Sequence, residues 1–130
     1  MADNNITTFE NFVKEGTTSK IVATLLDQDD VPVPGDQLTA LKLTLYEQKS
    51  KAIINNRNDQ NVLQQNDVTV DENGILTFKM RVQDNVIVNP RRDVPNEVHV
   101  AMFTYGWNDG DFGGVGKHEC LITVVNAFGV

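Results

Sequence analysis

Apolar and polar residues alternate with a period of two along most of this chain, and helical content is small. Leu41, Leu43 and Leu45 alternate with Lys42, Thr44 and Tyr46, which sets the leucines on one face of a strand. Ile75 to Met80 repeats the pattern, with Leu76, Phe78 and Met80 on one face and Thr77 and Lys79 on the other, as in a sheet with one side toward solvent. Ile21 to Leu26 is a short β-rich run closed by Asp27-Gln28-Asp29-Asp30, which reads as a strand entering a turn. Pro32, Pro34 and Gly35 then exclude a helix. Ala52-Ile53-Ile54 is the predicted hairpin partner of the leucine strand, across a charged loop from Glu47 to Lys51. The polar tract Asn55 to Asn61 predicts an exposed loop, because Asn and Asp side chains bridge their own backbone in turns. Val68-Thr69-Val70 predicts a strand, and Asn73-Gly74 after it marks a tight turn. Gln83 to Ile87 reads as a one-turn helix or corner, with Asp84 as its candidate cap.

The last third predicts a long antiparallel hairpin, Val98 to Gly106 against Lys117 to Asn126, around a Gly-rich loop. With Gly106 set opposite Gly116, the core face carries Val98, Val100, Met102 and Thr104 beside His118, Cys120, Ile122 and Val124. The other face then carries His99, Ala101, Phe103 and Tyr105 beside Glu119, Leu121, Thr123 and Val125. That face is too apolar to be simply solvated, so it is either covered within the domain or meets a partner. About seven short strands with regular turn signals predict an all-β fold, an immunoglobulin-like antiparallel β-sandwich. The Cys…Trp…Cys framework of antibody domains is missing. Residues 1–18 are polar and Asn/Thr-rich around Phe9, Phe12 and Val13. They read as an extended N-terminal arm ahead of a sandwich domain over residues 19–130.

Charge and composition narrow the function. A chain of 130 residues suits one core. The net charge of −7, with scattered lysines and arginines, repels phosphate backbones, so no nucleic-acid partner is expected. The sequence has neither a long apolar run nor a basic, apolar leader after Met1, so neither a membrane nor export by the general route is expected. Cys120 is the single cysteine and has no partner for an internal disulfide.

Gly113-Gly114-Val115-Gly116-Lys117-His118 invites comparison with a phosphate loop. Asp111 occupies the place of the first glycine, His118 that of the magnesium-binding hydroxyl, and a strand follows where a helix belongs. The acidic turns at Asp27, Asp29 and Asp30 and at Asn108, Asp109 and Asp111 offer oxygen ligands but lack the twelve-residue calcium-loop pattern. His118 and Cys120 share a strand face, while the register above puts His99 on the other face and on the order of 16 Å away. These groups assemble no catalytic set, so the expectation is no enzyme, no cofactor and no metal.

Trp107, Tyr105 and Phe112 beside the Gly-rich loop read as a protein anchor, a cap on the sandwich or a sugar-stacking platform. Together with Phe103 and the arm residues Phe9, Phe12 and Val13 they form the candidate partner-binding set.

Several segments, taken in order, carry a resemblance. They are Val22 to Asp27 with its acidic turn, Leu41 to Tyr46, Ile53 to Leu63, the turn Asp71 to Gly74, the corner Gln83-Asp84-Asn85, His99 to Phe103 and Gly116 to Glu119. Over about residues 20–126 the chain resembles small immunoglobulin-like virion structural proteins encoded among the head and connector genes of tailed bacteriophages. The resemblance implies a virion component without catalytic residues, assembled in the host bacterial cytoplasm in multiple copies, its partners the major capsid protein or other virion proteins. It implies a capsid decoration, or cement, protein on the outside of the head. A head-tail connector or tail ring component is the alternative, and a carbohydrate-binding module for host attachment a further one. On this reading, deleting residues 1–18 leaves the fold intact and abolishes virion binding.

Overall fold

The computed structural model describes residues 5–88 and 96–125. Residues 1–4 of the expected arm and 126–130 of the expected sandwich lie outside them. Nine strands occur among the described residues: β1 (Ile6–Thr8), β2 (Val13–Lys14), β3 (Ser19–Thr24), β4 (Leu38–Glu47), β5 (Gln60–Asn61), β6 (Val68–Val70), β7 (Ile75–Met80), β8 (Asn96–Asn108) and β9 (Gly113–Val125). Two 3₁₀ turns, Gly35–Gln37 and Val82–Asp84, complete the set. The larger sheet runs β1-β9-β8-β4-β5, with β2 also on β9, and the smaller runs β3-β7-β6. Leucines of β4, Phe103 of β8 and Ile122 of β9 meet Leu76 and Phe78 of β7 in one buried core. The all-β sandwich expected from the alternating pattern is what forms.

Period-two alternation works where one face is buried. Leu41, Leu43 and Leu45 are fully buried, as are Leu76 and Phe78, while Lys42 and Lys79 are exposed. Each such side chain contributes roughly 1.5–3 kcal/mol on burial.

The register of the long hairpin corrects the expected one. Tyr105, not Gly106, lies opposite Gly116, and Phe103 lies opposite His118. A one-residue slip exchanges the faces of one strand, so Glu97, His99, Ala101, Phe103, Tyr105 and Trp107 point into the core with His118, Cys120, Ile122 and Val124. His99 lies opposite Ile122, on the same face as His118 and about 13 Å from it at ~3.3 Å per residue. The outer face carries Val98, Val100, Met102 and Thr104 beside Glu119, Leu121, Thr123 and Val125.

Two further expectations change. Ala52-Ile53-Ile54 returns beside β4 through a single bridge, Ile53 to Tyr46, with the Glu47 N–H donating to the Ala52 carbonyl and the Ile54 N–H to the Leu45 carbonyl, but the strand paired with β4 on that side is Gln60–Asn61, inside the tract expected to be a free loop. Asp84 is the last residue of its 3₁₀ turn, not the cap before it, and its carboxylate reaches back to accept the Arg81 N–H at 2.7 Å.

The N-terminal segment lies along its own sheet. Ile6–Thr8 and Val13–Lys14 pair with β9 in parallel, the Phe9 N–H donates to the Leu121 carbonyl, and Phe9 and Val13 pack on the core. Thr7 Oγ1 and His118 Nε2 sit 2.7 Å apart. Deleting residues 1–18 therefore strips pairing from β9, in place of the intact fold expected above. The loss is expected to be about 2 kcal/mol or more, at roughly 1 kcal/mol for each half-buried apolar side chain, with aggregation through the bared edge. Thermal melting and light scattering check this; a truncated chain that melts like the full one would refute it.

Candidate interaction surfaces

The seven candidate partner-binding residues divide by burial. Phe103 is fully buried, and Tyr105 and Trp107 are 4% and 7% exposed. These three are core and offer a partner no surface, which corrects their place in the candidate set. Phe9 and Val13 are half-buried under the N-terminal segment. Phe12 and Phe112 remain, 64% and 55% exposed. They are not brought together: Phe12 lies just before β2, which pairs at the C-terminal end of β9, while Phe112 directly precedes that strand's first residue.

The glycines of β9 explain why Tyr105 and Trp107 turn inward. A Cβ on Gly114 would lie 2.5 Å from the Trp107 ring, and one on Gly116 would lie 2.7 Å from the Tyr105 ring. Each aromatic thus lies over the glycine opposite it, a pairing that fills the space left by the missing side chain. The Gly-rich segment is strand, not a phosphate loop, and the two rings stack on the protein's own backbone rather than on a sugar.

Tyr105 also ties the sheets together. Its hydroxyl donates to the Leu26 carbonyl at 2.7 Å and accepts from the Leu26 N–H at 3.3 Å. Burial pushes its phenol above the ordinary value and the bond from the Leu26 backbone offsets this only in part. An acid held neutral in this way gives stability that is complete below the unfolded value of about 10 and is lost as pH rises through the folded value. Tyr105→Phe is expected to cost about 1 kcal/mol at neutral pH and to flatten the alkaline loss of stability. Urea melts from pH 8 to 11 test this; an unchanged alkaline slope would sink it. Tyr46, raised by burial and by Glu119, keeps a residual slope.

The acidic turns are occupied by backbone. Asp27 Oδ1 accepts the N–H groups of Asp29 and Val31, Asp71 Oδ1 those of Asn73 and Ile75, and Asp109 Oδ1 those of Asp111 and Phe112. These carboxylates act as turn formers. Cys120 is buried beside Ala101 in the hairpin, and burial pushes its thiol up to about 12, so it is a small apolar group rather than a nucleophile.

One constellation escaped the sequence reading. Arg57, in the middle of the polar tract, is 3% exposed. Its Nε and one Nη bind Asp84 at 2.6 and 3.1 Å, the same Nη reaches Asp67 at 2.9 Å, and the other Nη bonds Gln60 and the Asn66 carbonyl. Five guanidinium N–H donors thus meet five acceptors. Asp84 also accepts from Asn55 Nδ2, and Asp67 from the Arg81 fork. Asn55, Asn56, Asp59, Asn66 and Asp67 take positive φ to turn the chain around this centre, which residues of these types tolerate best after glycine. No fixed spacing links Arg57 to Asp67 and Asp84, so the sequence held no motif for it.

Strand order defines the class. The sheets β3-β7-β6 and β9-β8-β4 are the two antiparallel layers of an all-β sandwich. The N-terminal strands add to β9 in parallel. Comparison with protein-family models, with curated proteins and with solved structures finds no match for this chain.

Proposed function

We propose that this chain is a virion structural protein of a tailed bacteriophage, binding the outside of the head as a capsid decoration protein. The reading rests on the ordered resemblance over about residues 20–126, and the observation that carries it is the outer face of the larger sheet. Val98, Met102, Leu121, Thr123 and Val125 are only half-buried there, and Ile53 at the margin is 41% exposed. A half-apolar sheet face beside an exposed Phe12 suits attachment to a protein lattice. The partner is then the major capsid protein or another virion protein, met in many symmetric copies.

Quantitative gel analysis of purified particles of the encoding virus tests this. Hundreds of copies per particle are expected. About six or twelve would move the chain to a connector or tail ring, and absence from the particle would overturn the proposal.

A further inference from the structure

The charges of this protein are segregated along the strands. Three turns meet at one end of the sandwich: the Leu25 N–H donates to the Gly74 carbonyl, Gly35 N–H to the Asp71 carbonyl, and the Tyr105 hydroxyl holds Leu26. Residues 26–37, 71–74 and 108–116, which build this end, hold eight of the eighteen carboxylates and neither lysine nor arginine. The rest of the chain carries ten carboxylates against eleven cations. The net −7 is therefore a property of one pole.

The outer face of the smaller sheet has the opposite character. Lys20, Val22 and Thr24 of β3 lie beside Lys79, Thr77 and Ile75 of β7, with Thr69 beyond on β6, and the carboxylate beside the two lysines is Asp67, just before β6. Lys20 and Lys79 are directly opposite each other. Like charges in that position destabilise a sheet, and among the described residues neither lysine has an ion-pair partner. A groove at this end is lined by Lys20, Lys79 and Arg81, with Asp67 as its one carboxylate. Asp67 is already shared between Arg57 and Arg81. Val22 and Ile75 on the same face are 42% and 36% exposed, giving a contact something apolar to bury.

We propose that the acidic pole of one copy docks against the Lys20–Lys79 face of the next, in a head-to-tail contact between copies of this chain. The two surfaces are complementary in sign and do not overlap, since five residues of β3, on the order of 16 Å, separate Lys20 from the first acidic turn. Each copy can give one and receive the other. Such heterologous contacts close into a ring or run on as a filament. In other orientations the net charge repels, which selects this one.

Sedimentation velocity on the purified full chain tests the contact with two variants. Lys20→Glu/Lys79→Glu reverses the face, and Asp29→Lys/Glu72→Lys halves the net charge of the pole, from −8 to −4, at exposed positions that do not hold the turns. At about 0.01 M salt, where screening reaches ~30 Å, the wild type is expected to grow in mass with concentration, and at about 1 M, where it falls to ~3 Å, to be monomeric. Each variant alone is expected to stay monomeric at low salt, with an unchanged circular dichroism spectrum. Mixed, they have one intact pole and one intact face between them and are expected to stop at a one-to-one dimer. A wild type that stays monomeric at low salt, self-association that survives in either variant, or a mixture that does not pair would overturn the proposal. None of these outcomes depends on whether the chain belongs to a virion.

Discussion

Arg57→Ala is expected to lower stability by about 3–5 kcal/mol, the range for breaking a buried ion pair by removing one partner. Asp84 is fully buried and would keep only the Asn55 amide and the Arg81 N–H as donors. The guanidinium also sits 4.9 Å from the centre of the Phe78 ring, so its loss strips a cation–π contact from the core. Asp84→Asn is expected to be milder, because an amide can still accept from Arg57. Arg57→Met combined with Asp84→Leu is expected to recover much of the loss, since well-packed apolar residues can replace a buried pair at little cost. Urea denaturation of the four proteins decides this. An Arg57→Ala protein within 1 kcal/mol of the parent would mean that water already reaches the pair.

The same centre sets an acid limit. The bonds from Arg81, and after them those from Arg57, hold the Asp67 carboxyl below its ordinary value. A depressed carboxyl gives stability that is present above the unfolded value of about 3.9 and is lost as pH falls through the folded one.

Phe78→Ala is expected to cost a similar amount, about 3–5 kcal/mol. Phe78 is fully buried and meets Phe103 of the other sheet edge to face, with ring centres 6.0 Å apart at 84°. It touches both the opposing layer and the Arg57 centre, so the cavity would open where sheet and polar network join. Phe78→Leu is expected to lose less than half as much. A cycle with Arg57→Ala should show coupling of at least about 0.5 kcal/mol, as found for residues in contact. Additive losses would show that the ring and the guanidinium act separately.

How much of this was legible in the sequence differs from strand to strand. β4 and β7 could be read from single positions because one face is buried and the other carries Lys42 or Lys79. The hairpin β8–β9 could not be registered in the same way. Both of its faces are rich in apolar residues, and Gly106 and Gly116 offered a pairing one residue from the true one. The deciding fact was steric: the rings of Tyr105 and Trp107 need glycines opposite them, and only the observed register supplies both. That pairing is a relation between strands, which intrastrand alternation does not contain. Arg57 was misread because composition marks its neighbourhood as polar, while its burial depends on acids ten and twenty-seven residues away. The partner-binding set failed at Phe103, Tyr105 and Trp107 for the register's reason and kept exposed members at Phe12 and Phe112.

The parallel pairing of β1 with β9 bears on the order of assembly. Ile6 lies beside Glu119, so among the described strands the first is completed by the last. During synthesis the N-terminal segment emerges early and has no strand to join until β9 follows. Closing so long a loop is entropically costly while little else is formed. The expected order is therefore the hairpin β8–β9 first, with the N-terminal segment settling on it as the closing step.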